Sequence, residues 1–226
     1  MGILISRKKS MSYLRMKFFL FSFLILKTIN VYSQDTAASV VKTFEGKVTY
    51  VYQILNPNSA LISDEDFYRD MPNGGKSSVT LFIKGNQYRW EYEDRIEIYL
   101  PKTQQIAIYS KRNQDSVYYA YAHIAEEPME KIEKSPLTKR ILNHDLSAYT
   151  VSTKWDTKTF FYNPHVLKTN SNYWKNHLRD YLGNFISKSS CFPLMILQKS
   201  LLGNWAMAAV KIEPEKIADD VFILKK

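Results

Sequence analysis

SSVTLFIKGNQYRWEYEDRIEIYLPKTQQIAIYSKR, residues 77–112, alternates apolar and polar side chains almost without a break. Tyr88, Trp90 and Tyr92 alternate with Gln87, Arg89, Glu91 and Glu93, and Ile96, Ile98 and Leu100 alternate with Arg95, Glu97 and Tyr99. A period of two puts successive side chains on opposite faces of a strand, so each segment reads as half-buried. Lys84-Gly85-Asn86 and Pro101-Lys102-Thr103-Gln104 interrupt the alternation with turn-forming residues. The stretch therefore predicts an antiparallel meander of four strands. Such a sheet needs cover for its apolar face, from a helix, a second sheet or a ligand.

Moving outward, Phe44–Leu55 places Val48, Tyr50, Tyr52 and Ile54 on one face and predicts a first strand. Asn56–Lys76 carries the acidic cluster Asp64, Glu65, Asp66 and Asp70, with Ser63 as a helix cap. These acids lack the alternating spacing and central glycine of a calcium loop, and a solvated helix start is expected. Asp115–Ala122 predicts another strand, with Val117, Tyr119 and Tyr121 on one side. The charged Ala125–Lys139 reads as a surface excursion, and Ala148–Thr153 and Thr157–Tyr162 as two further strands.

Ser171–Lys188 repeats Trp174, Leu178, Leu182 and Phe185 at helical spacing, widened by Tyr181 and Ile186, with Lys175, Arg179 and Asp180 opposite. This predicts one amphipathic helix of roughly 18 residues, about 27 Å long, suited to covering a curved sheet. Phe192–Leu201 and Asn204–Ile212 follow as two apolar segments, and Val221–Leu224 is expected to pack at the end. The fold class expected is mainly β (α+β): a curved antiparallel sheet or incomplete barrel wrapped over an amphipathic helix.

Of 31 basic residues, six precede Gln34 and no acidic residue does, so the +9 charge is largely that of the leader. The remainder balances 25 basic against 22 acidic residues, which removes most of the compositional support for nucleic-acid binding. Phe18–Leu26 is a nine-residue apolar run between Lys17 and Lys27. It is too short to span a bilayer and has the shape of a secretory signal, with cleavage expected after Ser33. The signal reads best from Met16, with residues 1–15 as an upstream extension; an uncleaved anchor and, from Met1-Gly2 with Ser6, N-myristoylation are the rival readings. Residues 34–226 are expected to form a single domain, exported to the periplasm or outside the cell.

No chemistry is apparent in the motifs. His123, His144, His165 and His177 lie in four separate segments without metal-ligand spacing. His144-Asp145 reads as a solvated turn, and Glu91 and Glu93 as a solvated strand face. Cys191 has no disulfide partner beyond the leader and reads as a buried structural thiol. No nucleophile elbow, phosphate loop or dinucleotide fingerprint is present. The reading is of a non-enzymatic protein with no metal and no cofactor.

FEGKVTYVYQI (44–54), LFIKGNQYRWE (81–91), FFYNP (160–164), NHLRDYLGNFIS (176–187), FPLMI (192–196) and KIADDVFIL (216–224) recur in this order. Together they resemble a group of uncharacterised exported Bacteroidota proteins, a domain-of-unknown-function family related to the LolA/LolB lipoprotein-carrier superfamily. Where similar proteins often carry G-Y-x-C, this chain has Asn143-His144-Asp145-Leu146. The resemblance implies a LolA-like incomplete barrel around a helix, with an interior that accepts acyl chains in the carriers. The ligand lining expected from the residues is Tyr88, Trp90, Tyr92, Ile96, Ile98, Tyr119 and Tyr121 on strands, with Trp174, Leu178 and Tyr181 on the helix. The expected function is binding of an apolar ligand, lipid, acyl chain or lipidated partner such as a lipoprotein. The alternative is an envelope protein-interaction or structural module with a filled core.

Overall fold

Gly46–Pro57 (β1), Lys76–Lys84 (β2), Gln87–Glu91 (β3), Arg95–Leu100 (β4), Gln105–Ser110 (β5) and Val117–Tyr121 (β6) form one antiparallel meander. Lys131–Ile141 (β7), His144–Ser152 (β8), Thr157–Tyr162 (β9), Met195–Ser200 (β10) and Gly203–Pro214 (β11) form a second, and Leu182–Ser189 (α1) is inserted between β9 and β10. The first and last strands pair with each other, joining the meanders into one sheet in the order β6-β5-β4-β3-β2-β1-β11-β10-β9-β8-β7. The sheet is open, with β6 and β7 at its edges. This computed structural model describes residues 42–57, 76–112, 116–200 and 203–223. The expected export signal over 1–33 and the acidic stretch around Asp64 lie outside the described residues, as does Leu224.

The sheet curls, and the aromatic core requires it. Strands lie about 4.8 Å apart, so β3 and β9, five places apart, would be separated by roughly 24 Å in a flat sheet. Yet Tyr88 of β3 meets His177, and Phe160 of β9 stacks on Phe185 only eight residues later, with ring centroids 4.7 Å apart. Val48, Tyr50, Leu81, Ile83 and Phe160 line this concave side and are almost fully buried against Trp174, Phe185 and Ile186.

The expected 18-residue helix is much shorter. Ser171–Tyr173 is a 3-10 turn capped by Asn170, whose side chain accepts from Asn172 N, and Arg179–Tyr181 is a second 3-10 turn. Only Leu182–Ser189 is α-helical. Asp180 (φ 54°) and Tyr181 (φ 60°) are left-handed and break the chain direction. The N–H groups of Leu178 and Arg179, which a continuous helix would use internally, donate instead to Ala122 O at 2.7 and 2.9 Å. Gly183 permits the compact turn: a Cβ there would collide with the carbonyl oxygens of Trp174 and His177, and Gly183 N donates to His177 O at 2.7 Å.

Three further expectations are corrected. The charged excursion around Lys131–Lys139 is an edge strand, β7, which tolerates its lysines and Pro136 because one side has no partner to satisfy. Ile96 and Ile98 lie on the convex face, since Arg89 pairs with Ile98 and Glu91 with Ile96, opposite in parity to Tyr88 and Trp90. Tyr119 and Tyr121 are 44% and 51% exposed on β6, where Ala120 faces the core.

The convex face has its own small core. Ile96, Ile98 and Tyr109 are covered by Ile217 and Phe222 from the C-terminal segment, which ends in the 3-10 turn Asp219–Phe222. Arg89 holds this strap through Val221 O at 2.7 Å, and Lys84 through Ile217 O and Asp219 Oδ1, both at 2.7 Å. Phe222→Ala should therefore cost about 3 kcal/mol, whereas Ile223→Ala at an exposed neighbour should stay within about 0.5 kcal/mol. Urea denaturation of the two variants measures both, and equal midpoints would contradict the strap.

Candidate functional site

Against the concave face lies a partly open cavity of about 540 Å³. Four half-buried aromatic rings form its floor: Tyr52 from β1, Trp90 from β3, Tyr92 just beyond it, and Trp205 from β11. They stand as two tilted pairs, Tyr52–Trp205 at 5.3 Å and Trp90–Tyr92 at 6.2 Å between centroids. Tyr50 backs Trp90 at 5.4 Å and sends its hydroxyl to Pro193 O at 2.8 Å, so the floor is fixed from beneath.

The walls are charged. Arg95 Nε donates to Glu97 Oε1 at 2.8 Å and its guanidinium lies 4.0 Å over the Tyr92 ring. Lys158 Nζ donates to Asp180 Oδ1 at 2.7 Å, its ammonium 5.9 Å from both the Tyr181 and Trp205 rings. Arg179 reaches Glu126 at 3.0 Å. Lys158 is 8% exposed, which such a cation tolerates because a carboxylate and two ring faces replace part of its water.

His177 closes the inner end. It is 2% exposed, its Nε2 lies 2.8 Å from the Tyr88 hydroxyl, and its Nδ1 is buried without a hydrogen-bond partner. Burial lowers its pKa to about 4, so the ring is neutral at pH 7. Glu97 and Asp180 move in opposite directions. Burial raises Glu97 despite the bond from Arg95. Asp180 is about half exposed, and the water it does lose is outweighed by the charge and hydrogen bond of Lys158, which hold the carboxyl below its ordinary value. Each acid accepts from a cation beside it, an arrangement suited to holding hydroxyl or amide groups in defined directions.

A smaller polar recess of about 90 Å³ adjoins the first and shares Glu126, Lys158 and Asp180 with it. Thr153 Oγ1 donates to Glu127 Oε2 at 2.8 Å there, and Gln198 Nε2 to Asp156 Oδ2 at 3.1 Å. Among the described residues, no group of three or more His, Cys, Asp or Glu could hold a metal ion, and no helix is long and apolar enough to cross a membrane. Cys191 is buried, and burial pushes its thiol up to about 11.

Of the expected lining, Tyr88, Trp90 and Tyr92 reach the cavity. Trp174 is fully buried behind Tyr88, stacked on it at 5.9 Å. Leu178 is half-buried in the turn, and Tyr181 lines the smaller recess with its hydroxyl on Glu127 O at 3.2 Å. Ile96, Ile98, Tyr119 and Tyr121 are elsewhere, as described above. Sequence reasoning missed Arg95, Glu97, Lys158, His177, Arg179, Asp180 and Trp205. For Arg95 and Glu97 a signal existed: they alternate with isoleucines that a C-terminal segment could cover. Arg179 and Asp180 were hidden by a helical pattern that assigned them to solvent.

No family model matches the chain, and no curated protein is similar to it at a significant level. Among solved structures, PNGF-II in a C2 crystal form is similar at 11% identity and a TM-score of 0.48, over 81% of this chain and 30% of that one. The same protein in a P21 form gives 9% identity and 0.45, over 79% and 30%. The chain thus spans about 30% of the length of PNGF-II, and at this identity and score the likeness says nothing of function.

Two outcomes follow for the turn that carries the site. Gly183→Ala should lower stability by about 1–3 kcal/mol, because the added methyl drives apart backbone groups that cannot move independently; thermal melts that leave it unchanged would refute the close approach. His177 is unprotonated in the folded chain until about pH 4, whereas the unfolded chain takes the proton near 6.5. Stability from this group is therefore lost as pH falls through that window, by up to about 3 kcal/mol. Raised Glu97 works in the opposite sense, so the check is the difference between wild type and His177→Gln: the variant should show a flatter fall between pH 6.5 and 4.

Proposed function

We propose that this chain is an exported, non-enzymatic binding protein of the cell envelope or its surroundings, whose concave cavity holds a small molecule with one apolar face and several polar groups. The observation that carries the reading is the cavity itself: about 540 Å³ in one partly open space, with an aromatic floor and paired charges in its walls. That size is ordinary for small-molecule sites, and the lining sets apolar rings beside fixed charged groups, which gives affinity together with orientation. Export is supported by the basic-flanked apolar run Phe18–Leu26. The likeness to LolA/LolB carriers is supported by the open antiparallel sheet bent around a short helical segment.

The ligand favoured is narrower than the apolar one expected from sequence. An acyl chain filling this space would lie against Glu97, Lys158 and Asp180 and strip water from them without returning hydrogen bonds, which is costly. A molecule that stacks on Trp90 or Trp205 and hydrogen-bonds to the walls avoids that loss. The alternative of an interaction module with a filled interior has less support, because the space between the aromatic floor and the Trp174–Leu182 turn is open.

The test is a titration of the full chain with Nile red, a neutral polycyclic dye that brightens in such sites. Saturable binding is expected, weakened about tenfold or more by Trp90→Ala, with palmitate a poor competitor. No saturable signal, or one indifferent to Trp90→Ala, would sink the binding reading; tight displacement by palmitate would restore the acyl chain as ligand.

A further inference from the structure

Resting on the reading of the cavity as a binding site, we infer that its ligand class is the neutral saccharide: a hydroxyl-rich ring, or a short chain of such rings, without ionised groups. The pairing of the charges argues for neutrality. The cations in the cavity wall are Arg95, Lys158 and Arg179, and each is held by a carboxylate, at 2.8 Å from Glu97, 2.7 Å from Asp180 and 3.0 Å from Glu126. A phosphate or carboxylate entering here would have to pull a cation from its partner and would meet Glu93, Asp94 and Glu97 on the way. The lining holds five carboxylates, Glu93, Asp94, Glu97, Glu126 and Asp180, against these three cations, which makes a cation the nearer rival; it would have to displace Arg95, Lys158 or Arg179 from the acids they hold, in a space where Arg95 and Lys158 already lie against the aromatic rings.

Hydroxyl groups suit this wall better than any ion. Each ion pair offers guanidinium or ammonium N–H donors beside carboxylate lone pairs, and a hydroxyl both donates and accepts. Charge-assisted bonds to a neutral partner are also among the stronger ones and leave the pairs intact. The floor supplies the other half of the recognition. A pyranose ring has a face of C–H groups, and the negative π face of a tryptophan or tyrosine attracts such a surface. Trp90 with Tyr92, and Tyr52 with Trp205, present two such platforms at tilts of 32° and 39° within one cavity.

Two further features fit. The recess holding Thr153, Asp156 and Gln198 shares Lys158 and Asp180 with the main cavity, so polar groups continue beyond the space above the rings. Asp180 and Tyr181 are consecutive left-handed residues, held by the bonds of Leu178 and Arg179 to Ala122 O and of Gly183 to His177 O. Unfavourable backbone kept in place by its surroundings is a usual mark of a preorganised ligand contact.

The experiment is isothermal titration of the full chain with three neutral trisaccharides (maltotriose, cellotriose and triacetylchitotriose), alongside choline, inorganic phosphate and palmitate. At least one trisaccharide should bind saturably with a Kd of about 1 mM or tighter. Trp90→Ala should weaken it at least tenfold. Glu97→Gln, which keeps the shape of the wall and removes an acceptor's charge, should weaken it several-fold with the melting temperature preserved. Binding of choline, phosphate or palmitate without any trisaccharide would overturn the saccharide assignment while leaving the cavity a binding site. Binding of none of the six would overturn the saccharide assignment, while the binding reading would then stand or fall with the dye titration alone. Trisaccharide binding indifferent to both substitutions would place the sugar elsewhere and overturn the inference.

Discussion

The carbonyl of Ala122 accepts from two backbone N–H groups at once, Leu178 at 2.7 Å and Arg179 at 2.9 Å, and the geometry of the site depends on that junction. It ties the end of β6 to the middle of the Ser171–Ser189 segment and takes two donors out of the helical ladder. The segment answers by turning through Asp180 and Tyr181 in left-handed conformation and resuming as α1 at Leu182. Gly183 then lets α1 sit directly on the preceding backbone. The result presents His177, Arg179 and Asp180 from one short loop to one cavity, which a straight helix would have spread around its circumference.

The same segment explains why the sheet curls without closing. Trp174 and Phe185 are large enough to engage both halves of the sheet, Trp174 against Tyr88 and Tyr99, Phe185 against Phe160 and Tyr162. Behind them packing is tight and aromatic. In front of them, where Gly183 and the kink draw the backbone away from a helical path, side chains do not fill the space and the charged groups of β4, β9 and the loop line it. Ion pairs whose members are as exposed as Arg95, Asp180 and Glu126 contribute little to stability by themselves, since solvent screens their attraction. Their worth here lies in holding donors and acceptors at fixed positions beside the aromatic floor.

A single parity choice distributes the polar groups. Tyr88 and Trp90 face the concave side, so Arg89 and Glu91 face the convex one; across the pairing, Ile98 and Ile96 go with them and Glu97 and Tyr99 go inward. An isoleucine pair on the outside is stable only because the C-terminal strap brings Ile217 and Phe222 over it. The strap therefore acts on the cavity at a distance: by covering Ile96 and Ile98 it allows Arg95 and Glu97 to point inward.

The strands themselves were readable because alternation along one strand is a local property. The meander from β2 to β6, the first strand, β8 and β9 lie near where alternation and turn residues placed them, while the final hairpin was marked only as two apolar segments. β7 was not readable, because an edge strand can be charged on both faces and still satisfy half its hydrogen bonds. Trp90 and Tyr92 were identifiable as lining because large rings on an alternating strand must face a covered side. What the chain alone determined is thus a mainly antiparallel sheet, rich in aromatic groups, needing cover. Which face Ile96 and Glu97 take, where the helix breaks, and that Arg95, Lys158 and Asp180 meet were decided by tertiary structure. Those outcomes turn on Ala122 with Leu178 and Phe222 with the sheet, tens of positions apart, and on Gly183 against the backbone of Trp174 and His177, contacts whose free energies no local pattern records.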